Sequence, residues 1–169
     1  MKNKSLWWIS KCLWNIIAVA SCYLIGFGIL YILCLLTGKN NTMELNPTIF
    51  YSAFNANLAN TSSTDSELLL YLCILPSVVG ITINLLQMTL TLFVKPIFAF
   101  IASCVYFIVG MYYANPIMIS NYAMPVRGKV IGIYNFSFSS GVSICLAFCI
   151  AAVLIGVYRL NKMDIVNNA

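Results

Sequence analysis

Small and polar residues recur at helical spacing within an otherwise uncharged stretch, Leu68 to Val94. Consecutive members are three or four positions apart, which at ~100° per residue confines them to roughly 80° of a helix surface. Hydrocarbon offers a side-chain amide no hydrogen-bond partner, so this face is expected to meet protein or water. The residues of this polar stripe are Cys73, Ser77, Gly80, Asn84, Gln87 and Thr91.

Two interpretations of the polar stripe are open. In the first, Asn84 and Gln87 form hydrogen bonds with neighbouring helices and serve only to hold the fold together. In the second, Ser77, Gly80, Asn84, Gln87 and Thr91 line a translocation path or a seam between subunits. The two overlap, because a seam between helices can also be a path.

The sequence lacks the usual residues of catalysis. There is no histidine, so histidine-based proton transfer and histidine metal ligands are excluded, and no phosphate-binding loop of the GxxxxGK[ST] type is present. No acidic residue lies within a long apolar stretch, which disfavours a proton relay or an intramembrane aspartyl protease. The seven cysteines lack CxxC spacing and indicate buried apolar thiols. We therefore predict no enzyme activity, no cofactor and no metal site.

The composition is that of an integral membrane protein. Of the 169 residues, 62% are apolar and 8% are charged, against roughly 25% charged in soluble domains. The length leaves room for one membrane domain, residues 1–169, without a separate soluble catalytic domain. The net charge of +5 is not clustered in a way that predicts nucleic-acid binding.

Apolar stretches of membrane-crossing length predict an all-α fold with about four transmembrane helices. Lys95-Pro96 is expected to form a short turn, since proline ends one helix and is tolerated in the first turn of the next. Two connecting segments are predicted to be extracellular, a polar loop at 37–67 and a broken, re-entrant segment at 115–138. The predicted spans are 13–36, 68–94, 97–114 and 139–158.

The amino-terminal residues combine lysine with tryptophan, which favours the membrane–water boundary. They predict either a short interfacial helix that leads into the first span or simple anchor residues that flank it. The apolar run continues well beyond Cys22, which disfavours a cleaved signal peptide. Within that run Ala18, Cys22 and Gly26 recur every fourth residue and predict a face for close helix packing.

The distribution of cations predicts the orientation. Six of the nine Lys and Arg residues fall on one side of the four spans, which favours cytoplasmic termini. On that side we expect a contact with a cytoplasmic partner. On the other side Arg127 and Lys129 are candidates for an outer anionic contact or for interfacial anchors. The candidate residues on the cytoplasmic side are Lys11, Lys95, Pro96, Arg159 and Lys162.

From Asn84 onward the chain resembles the carboxy-terminal half of bacterial ABC-2-type transporter permeases. The resemblance is carried by a polar-then-apolar run, a short Lys-Pro turn, a broken outer segment and a basic tail after the last span. The matching stretches are Asn84-Leu-Leu-Gln87, Lys95-Pro96-Ile97, Tyr112-Tyr-Ala-Asn-Pro116, Asn121-Tyr-Ala-Met124 and Tyr158-Arg-Leu-Asn-Lys-Met-Asp-Ile165.

The resemblance implies a permease-like subunit of an ATP-driven exporter in the bacterial cytoplasmic membrane. It implies separate ABC ATPase subunits, another permease copy or related membrane subunit, contact with membrane lipid, and an amphipathic peptide, antibiotic or lipid as substrate. The chain departs from the family in having room for about four spans rather than six, without the usual coupling helix. The alternative expectation is a non-transporting immunity or regulatory protein that binds a peptide or a membrane partner.

Overall fold

The computed structural model describes residues 4–38, 69–124, 127 and 136–162, and its regular secondary structure there is helical. Four helices are long and the remaining one is a single turn. In chain order they are α1 (Lys4–Leu36), α2 (Leu70–Leu90), α3 (Pro96–Tyr112), α4 (Ile119–Tyr122) and α5 (Phe138–Lys162). The predicted all-helical architecture is therefore confirmed for the described residues.

Three of these helices are long and apolar enough to cross a membrane, namely α1, α2 and α5, which indicates a membrane protein. The predicted fourth span corresponds to α3, which has 17 residues and a length of about 26 Å. This is slightly less than the ~30 Å hydrocarbon core of a bilayer. The number of spans therefore stays a prediction.

Helix α1 is one uninterrupted helix of 33 residues. No proline interrupts it, and the hydroxyls of Ser10 and Ser21 bond the carbonyls of Leu6 and Ile17 without breaking it. The structure thus has no separate interfacial helix and corresponds to the alternative in which lysine and tryptophan flank the span. At about 50 Å, α1 exceeds the hydrocarbon thickness, so part of it must lie outside the membrane core.

Helix α2 begins with a π-helical turn, Leu70–Ile74, and continues as α-helix from Leu75 to Leu90. The N–H of Leu75 donates to the carbonyl of Leu70, five residues earlier. Pro76 explains this widening, because its ring crowds the carbonyl of the preceding turn and it has no N–H to donate. The irregular turn lets one apolar helix continue through a proline.

The predicted turn at Lys95-Pro96 is confirmed. Lys95 has extended dihedrals, φ −60° and ψ 145°, and Pro96 is the first residue of α3. The chain between α2 and α3 is therefore only the segment 91–95. Such a short connection places α2 and α3 side by side as antiparallel neighbours.

The core is formed where α1, α2 and α5 pack pairwise against one another, with α3 packed on α2. One apolar cluster joins Trp8 and Cys12 of α1 to Leu85 of α2 and to Ala152 and Leu160 of α5. At the other end of the bundle, a second cluster surrounds the short helix α4. It contains Tyr71, Leu75, Val79, Ile83, Ile119, Tyr122 and Cys145.

The predicted broken segment contains α4, whose four residues are at most 2% exposed. It contacts α2, α3 and α5, and the N–H of Ile119 donates to the Tyr106 hydroxyl of α3. Irregular backbone at membrane depth is tolerated when it is buried in protein, and α4 satisfies that condition. Beyond Gly38, the predicted 37–67 loop lies outside the described residues, as do positions 125, 126 and 128–135 of the broken segment.

Candidate functional site

The polar stripe of α2 faces the region between α1 and α3, and each of its residues is half-buried. Its central member, Asn84, donates a hydrogen bond of 2.9 Å from Nδ2 to Oδ1 of Asn15 on α1. This bond connects two helices and gives each amide a partner in apolar surroundings. The stripe thus forms a polar seam on the side of α2 that does not face α5.

Gly80 lies one turn before Asn84, and α1 approaches closely at this point. A Cβ added to Gly80 would lie 2.7 Å from the hydroxyl oxygen of Tyr23 and 2.8 Å from its ring. Glycine therefore leaves room for the Tyr23 side chain. Together, Tyr23–Gly80 and Asn15–Asn84 fix α1 against α2 at two levels of the seam.

Two other stripe residues bond their own helix. The hydroxyl of Ser77 donates to the carbonyl of Cys73 at 2.7 Å, and that of Thr91 donates to the carbonyl of Met88 at 2.6 Å. Both hydroxyls are therefore satisfied without a neighbouring helix. Ser77 and Thr91 therefore add polar atoms to the seam that need no hydrogen-bond partner from another helix.

Gln87 faces a different neighbour. It borders a groove of about 270 Å³ between α2 and α3, and within the described part of the chain its side-chain amide forms no hydrogen bond. The other groove residues are mostly apolar. They are Ile83, Leu86 and Leu90 of α2 and Ala102, Ser103 and Tyr106 of α3.

The structure thus separates the candidate residues of the stripe by role. Asn84 and Gly80 contact α1, Ser77 and Thr91 bond their own backbone, and Gln87 is open to a groove. An amide beside an apolar groove can donate and accept hydrogen bonds, so it can orient one polar group of an otherwise apolar ligand or helix. The arrangement contains no Asp, Glu, Lys or Arg side chain.

Sequence reasoning missed Asn15 as a site residue. It is the sole side-chain amide in α1, and that isolation in a long apolar helix was the available signal. Thr89 was missed too, although its hydroxyl donates to the carbonyl of Ala152 on α5 at 3.2 Å and to that of Leu85 at 2.9 Å. Its position on α2 gave no such indication.

The predicted residues for a cytoplasmic partner meet at one end of the bundle, which we call the basic end. There the hydroxyl of Ser5 donates to the side chain of Asn161 at 3.3 Å, so the start of α1 lies beside the end of α5. The guanidinium of Arg159 lies 5.2 Å from the ring centre of Phe93 in the α2–α3 turn. The segments that these contacts join carry the candidate residues Lys11, Lys95, Pro96, Arg159 and Lys162.

Trp8 and Gly156 make the tightest contact near the basic end. Trp8 is 3% exposed, and a Cβ added to Gly156 would lie 2.2 Å from its ring. The absence of a side chain at Gly156 lets the indole lie flat against α5. This contact fixes the register of α1 and α5 and hence the positions of the surrounding cations.

Arg127, predicted as an outer anionic contact, is directed at the carboxy-terminal end of α3. Its guanidinium donates to the carbonyls of Gly110, at 2.6 Å, and Met111, and to the side-chain oxygen of Asn121. Asn121 in turn donates to the carbonyls of Tyr113 and Asn115. Arg127 therefore caps α3, where the helix dipole favours a cation. Lys129 lies outside the described residues.

The predicted small-residue face of α1 is exposed. Ala18, Cys22 and Gly26 have no close partner helix, and nothing in the described structure lies within 4 Å of a Cβ placed at Gly26. An apolar groove of about 450 Å³ lies along the same part of α1. Beyond Tyr23, α1 therefore presents an apolar surface that the described helices do not cover.

Among the described residues no group of three or more Cys, Asp or Glu side chains could hold a metal ion. Comparison with known proteins gave no relative. No protein-family model, curated protein or solved structure matches the chain.

Proposed function

We propose that this chain is a permease-like membrane subunit of an ATP-driven exporter, which works with a second membrane subunit and with separate ABC ATPase chains. The observation that carries the proposal is the half-buried Gln87 amide, which borders an apolar groove and has no hydrogen-bond partner among the described residues. In hydrocarbon an unpaired amide is costly. A passing substrate or a second subunit would supply its partner.

In this proposal the polar seam is the part that opens. The Asn15–Asn84 bond is a single neutral hydrogen bond between α1 and α2, of a kind that contributes about 0.6 kcal/mol on average in membrane proteins. This bond alone is weak enough to break reversibly, although separation of α1 from α2 would also break the Tyr23–Gly80 contact and the packing of Leu85 against α1. Separation would expose Asn15 and Asn84 beside Gln87 and create a path with three amides and apolar walls, suited to an amphipathic peptide, antibiotic or lipid.

The basic end would receive the ATPase on the cytoplasmic side. Lys11, Lys95 and Lys162 are exposed there, and the rigid Trp8–Gly156 contact joins α1 to α5. Force applied to the α2–α3 turn would therefore act on α2 relative to the α1–α5 pair. This arrangement would give the ATPase a contact, since the described residues between α2 and α3 form a short turn and no coupling helix.

Purification of the tagged chain from its native membranes tests the proposal. We expect an ATPase with a phosphate-binding loop to co-purify, and we expect the reconstituted complex to show ATP-dependent movement of an amphipathic substrate. Gln87→Leu should reduce this movement at least severalfold without lowering thermal stability. Thr91→Val is the matched control, because the Thr91 hydroxyl bonds only its own helix.

One observation favours the second candidate, a non-transporting immunity or regulatory protein. The segment between α2 and α3 comprises only residues 91–95 and provides no helix on which an ATPase could dock. In that case the groove beside Gln87 would bind a peptide or a partner helix without transporting it. Full protective activity of the isolated chain in cells that lack the ATPase would support this candidate and contradict transport.

A further inference from the structure

At the basic end, Lys11, Lys95, Arg159 and Lys162 have no acidic partner among the described residues. The residues described include no aspartate or glutamate, and the four acids of the chain, Glu44, Asp65, Glu67 and Asp164, all lie outside them. The cations at this end lie on the segments that the Trp8–Gly156 and Arg159–Phe93 contacts join. A cationic surface at the end of membrane-length helices lies where lipid headgroups would supply negative charge.

Arg159 differs from the lysines around it. It is half-buried, its guanidinium lies over the Phe93 ring, and its Nε is enclosed without a hydrogen-bond acceptor in the described structure. The Phe93 ring and the enclosure of Nε restrict the guanidinium, whereas Lys11, Lys95 and Lys162 are exposed. A fixed guanidinium presents parallel N–H donors that match two oxygens of a phosphate.

We propose that Arg159, held over Phe93, binds the phosphate of an anionic membrane lipid at the basic end. The exposed Lys11, Lys95 and Lys162 strengthen the attraction through their charge. The Trp8–Gly156 contact keeps α1 close enough to α5 for Lys11 to contribute. This inference requires only that the long helices cross a membrane, and it holds whether or not the chain transports a substrate.

The three tryptophans of the chain, Trp7, Trp8 and Trp14, all lie near the basic end and serve as reporters. The full chain is reconstituted in phosphatidylcholine with a fraction of brominated phosphatidylglycerol or, for comparison, brominated phosphatidylcholine. Bromine quenches tryptophan fluorescence at short range, so the ratio of quenching measures the preference for the anionic lipid. We expect stronger quenching by the phosphatidylglycerol.

Variants that each remove one positive charge distinguish a specific phosphate site at Arg159 from a general attraction between the basic end and anionic lipid. Arg159→Gln should lower the preference about tenfold, since it removes charge-assisted hydrogen bonds. Lys162→Gln removes one exposed charge and should lower it about fivefold or less. Arg159→Lys keeps the charge but loses the parallel N–H donors of the guanidinium. Its preference for phosphatidylglycerol should therefore be closer to that of Arg159→Gln than to that of the wild type. Equal losses in Arg159→Gln and Lys162→Gln would overturn the proposal.

Three further measurements separate lipid binding from instability, from free phosphate and from an internal counter-ion. Melting temperatures in phosphatidylcholine alone should be equal for wild type, Arg159→Lys and Lys162→Gln, so that lost quenching reflects lost binding. Inorganic phosphate should not compete with the lipid, and effective competition would identify free phosphate as the ligand. Asp164→Asn should leave the preference unchanged. If the preference for phosphatidylglycerol rose in Asp164→Asn and did not fall in Arg159→Gln, Asp164 would be the counter-ion of the basic end and the proposal would be overturned.

Discussion

Asn15 of α1 and Asn84 of α2 are joined by a hydrogen bond of 2.9 Å, although they are 69 positions apart in the chain. Each residue belongs to an apolar helix of membrane-crossing length. The bond gives both amides a partner within the bundle and aligns α1 with α2. It also divides the polar stripe into a part closed by α1 and a part, at Gln87, that remains open to the groove beside α3.

Replacement of either asparagine should weaken the fold. Asn84→Leu leaves the Asn15 amide without its partner, and we expect the free energy of unfolding to fall by about 1–2 kcal/mol. Asn15→Leu should have a similar effect, while the double variant should lose less than the sum. Unfolding of the purified protein in mixed micelles by a denaturing detergent measures all three, and the coupling should be about 0.6–1.7 kcal/mol.

Gln87→Leu is the matched control for this double-mutant cycle of Asn15 and Asn84. Its amide has no hydrogen bond within the described residues, so the substitution should not lower the stability of the isolated chain. Strictly additive losses for Asn15→Leu and Asn84→Leu would show that the two amides do not interact. A loss in Gln87→Leu as large as that in Asn84→Leu would show that the groove beside Gln87 is closed in the folded chain.

Gly156→Ala should destabilise the protein through its contact with Trp8. The new Cβ would lie 2.2 Å from the indole ring, and the ring is enclosed at 3% exposure. We expect a loss of about 1–3 kcal/mol, which is typical of overpacked interiors. Trp8→Leu in the same chain should recover part of the loss. Thermal unfolding in detergent, followed by circular dichroism, measures these changes.

Gly26→Ala provides the comparison for this substitution. Nothing lies within 4 Å of a Cβ at Gly26, and alanine favours the helical backbone by roughly 0.5–1 kcal/mol over glycine. The variant should therefore be as stable as the wild type or slightly more stable. A large loss at Gly26 would reveal a packing partner for the small-residue face of α1.

Arg127→Met should loosen the carboxy-terminal turn of α3. The substitution removes donors to the carbonyls of Gly110 and Met111 and to Asn121, and a loss of about 1–2 kcal/mol is expected. Arg127→Lys should recover little, because one ammonium group does not span several acceptors. Hydrogen exchange should increase at Tyr113, whose N–H bonds the carbonyl of Val109. Lys162→Gln, an exposed cation elsewhere, should leave this exchange unchanged.

The start of α1 and the end of α5 should cross-link. Ser5 and Asn161 share a hydrogen bond of 3.3 Å, so Ser5→Cys with Asn161→Cys should form a disulfide under mild oxidation once the native cysteines are replaced. Ser5→Cys with Gly26→Cys is the negative control, because these residues are far apart on one helix. Failure of the first pair to cross-link would contradict the proximity of these helix ends.

Labelling of single cysteines addresses the predicted orientation. An impermeant reagent added outside the cell should label Thr61→Cys and spare Asn161→Cys, since the excess of cations at the basic end favours the cytoplasm. Labelling of Asn161→Cys alone in intact cells would reverse the assignment. Labelling of both probes only after the membrane is permeabilised would contradict the predicted extracellular position of the 37–67 loop.

Several features could be predicted from sequence because they depend on local properties. The Lys95-Pro96 turn follows from the geometry of proline, and the single face shared by Gly80, Asn84 and Gln87 follows from helical periodicity. The flanking of the first span by anchor residues is one of two predicted alternatives, because lysine and tryptophan suit an interfacial helix as well as the flank of a span. The start of α1 at Lys4, ahead of the predicted span 13–36, is seen only in the structure. That α3 crosses the membrane as a fourth span remains a prediction.

The sequence by itself determined that this chain is an apolar, helical protein in which Asn84 and Gln87 share one helix face, because hydrophobicity and period are properties of neighbouring residues. The tertiary structure decided which helices those amides meet. Asn84 pairs with Asn15, Gln87 borders the groove beside α3, and Arg127 caps α3. These contacts join residues from different helices, and their geometry depends on how the helices pack, which periodicity within one helix does not specify.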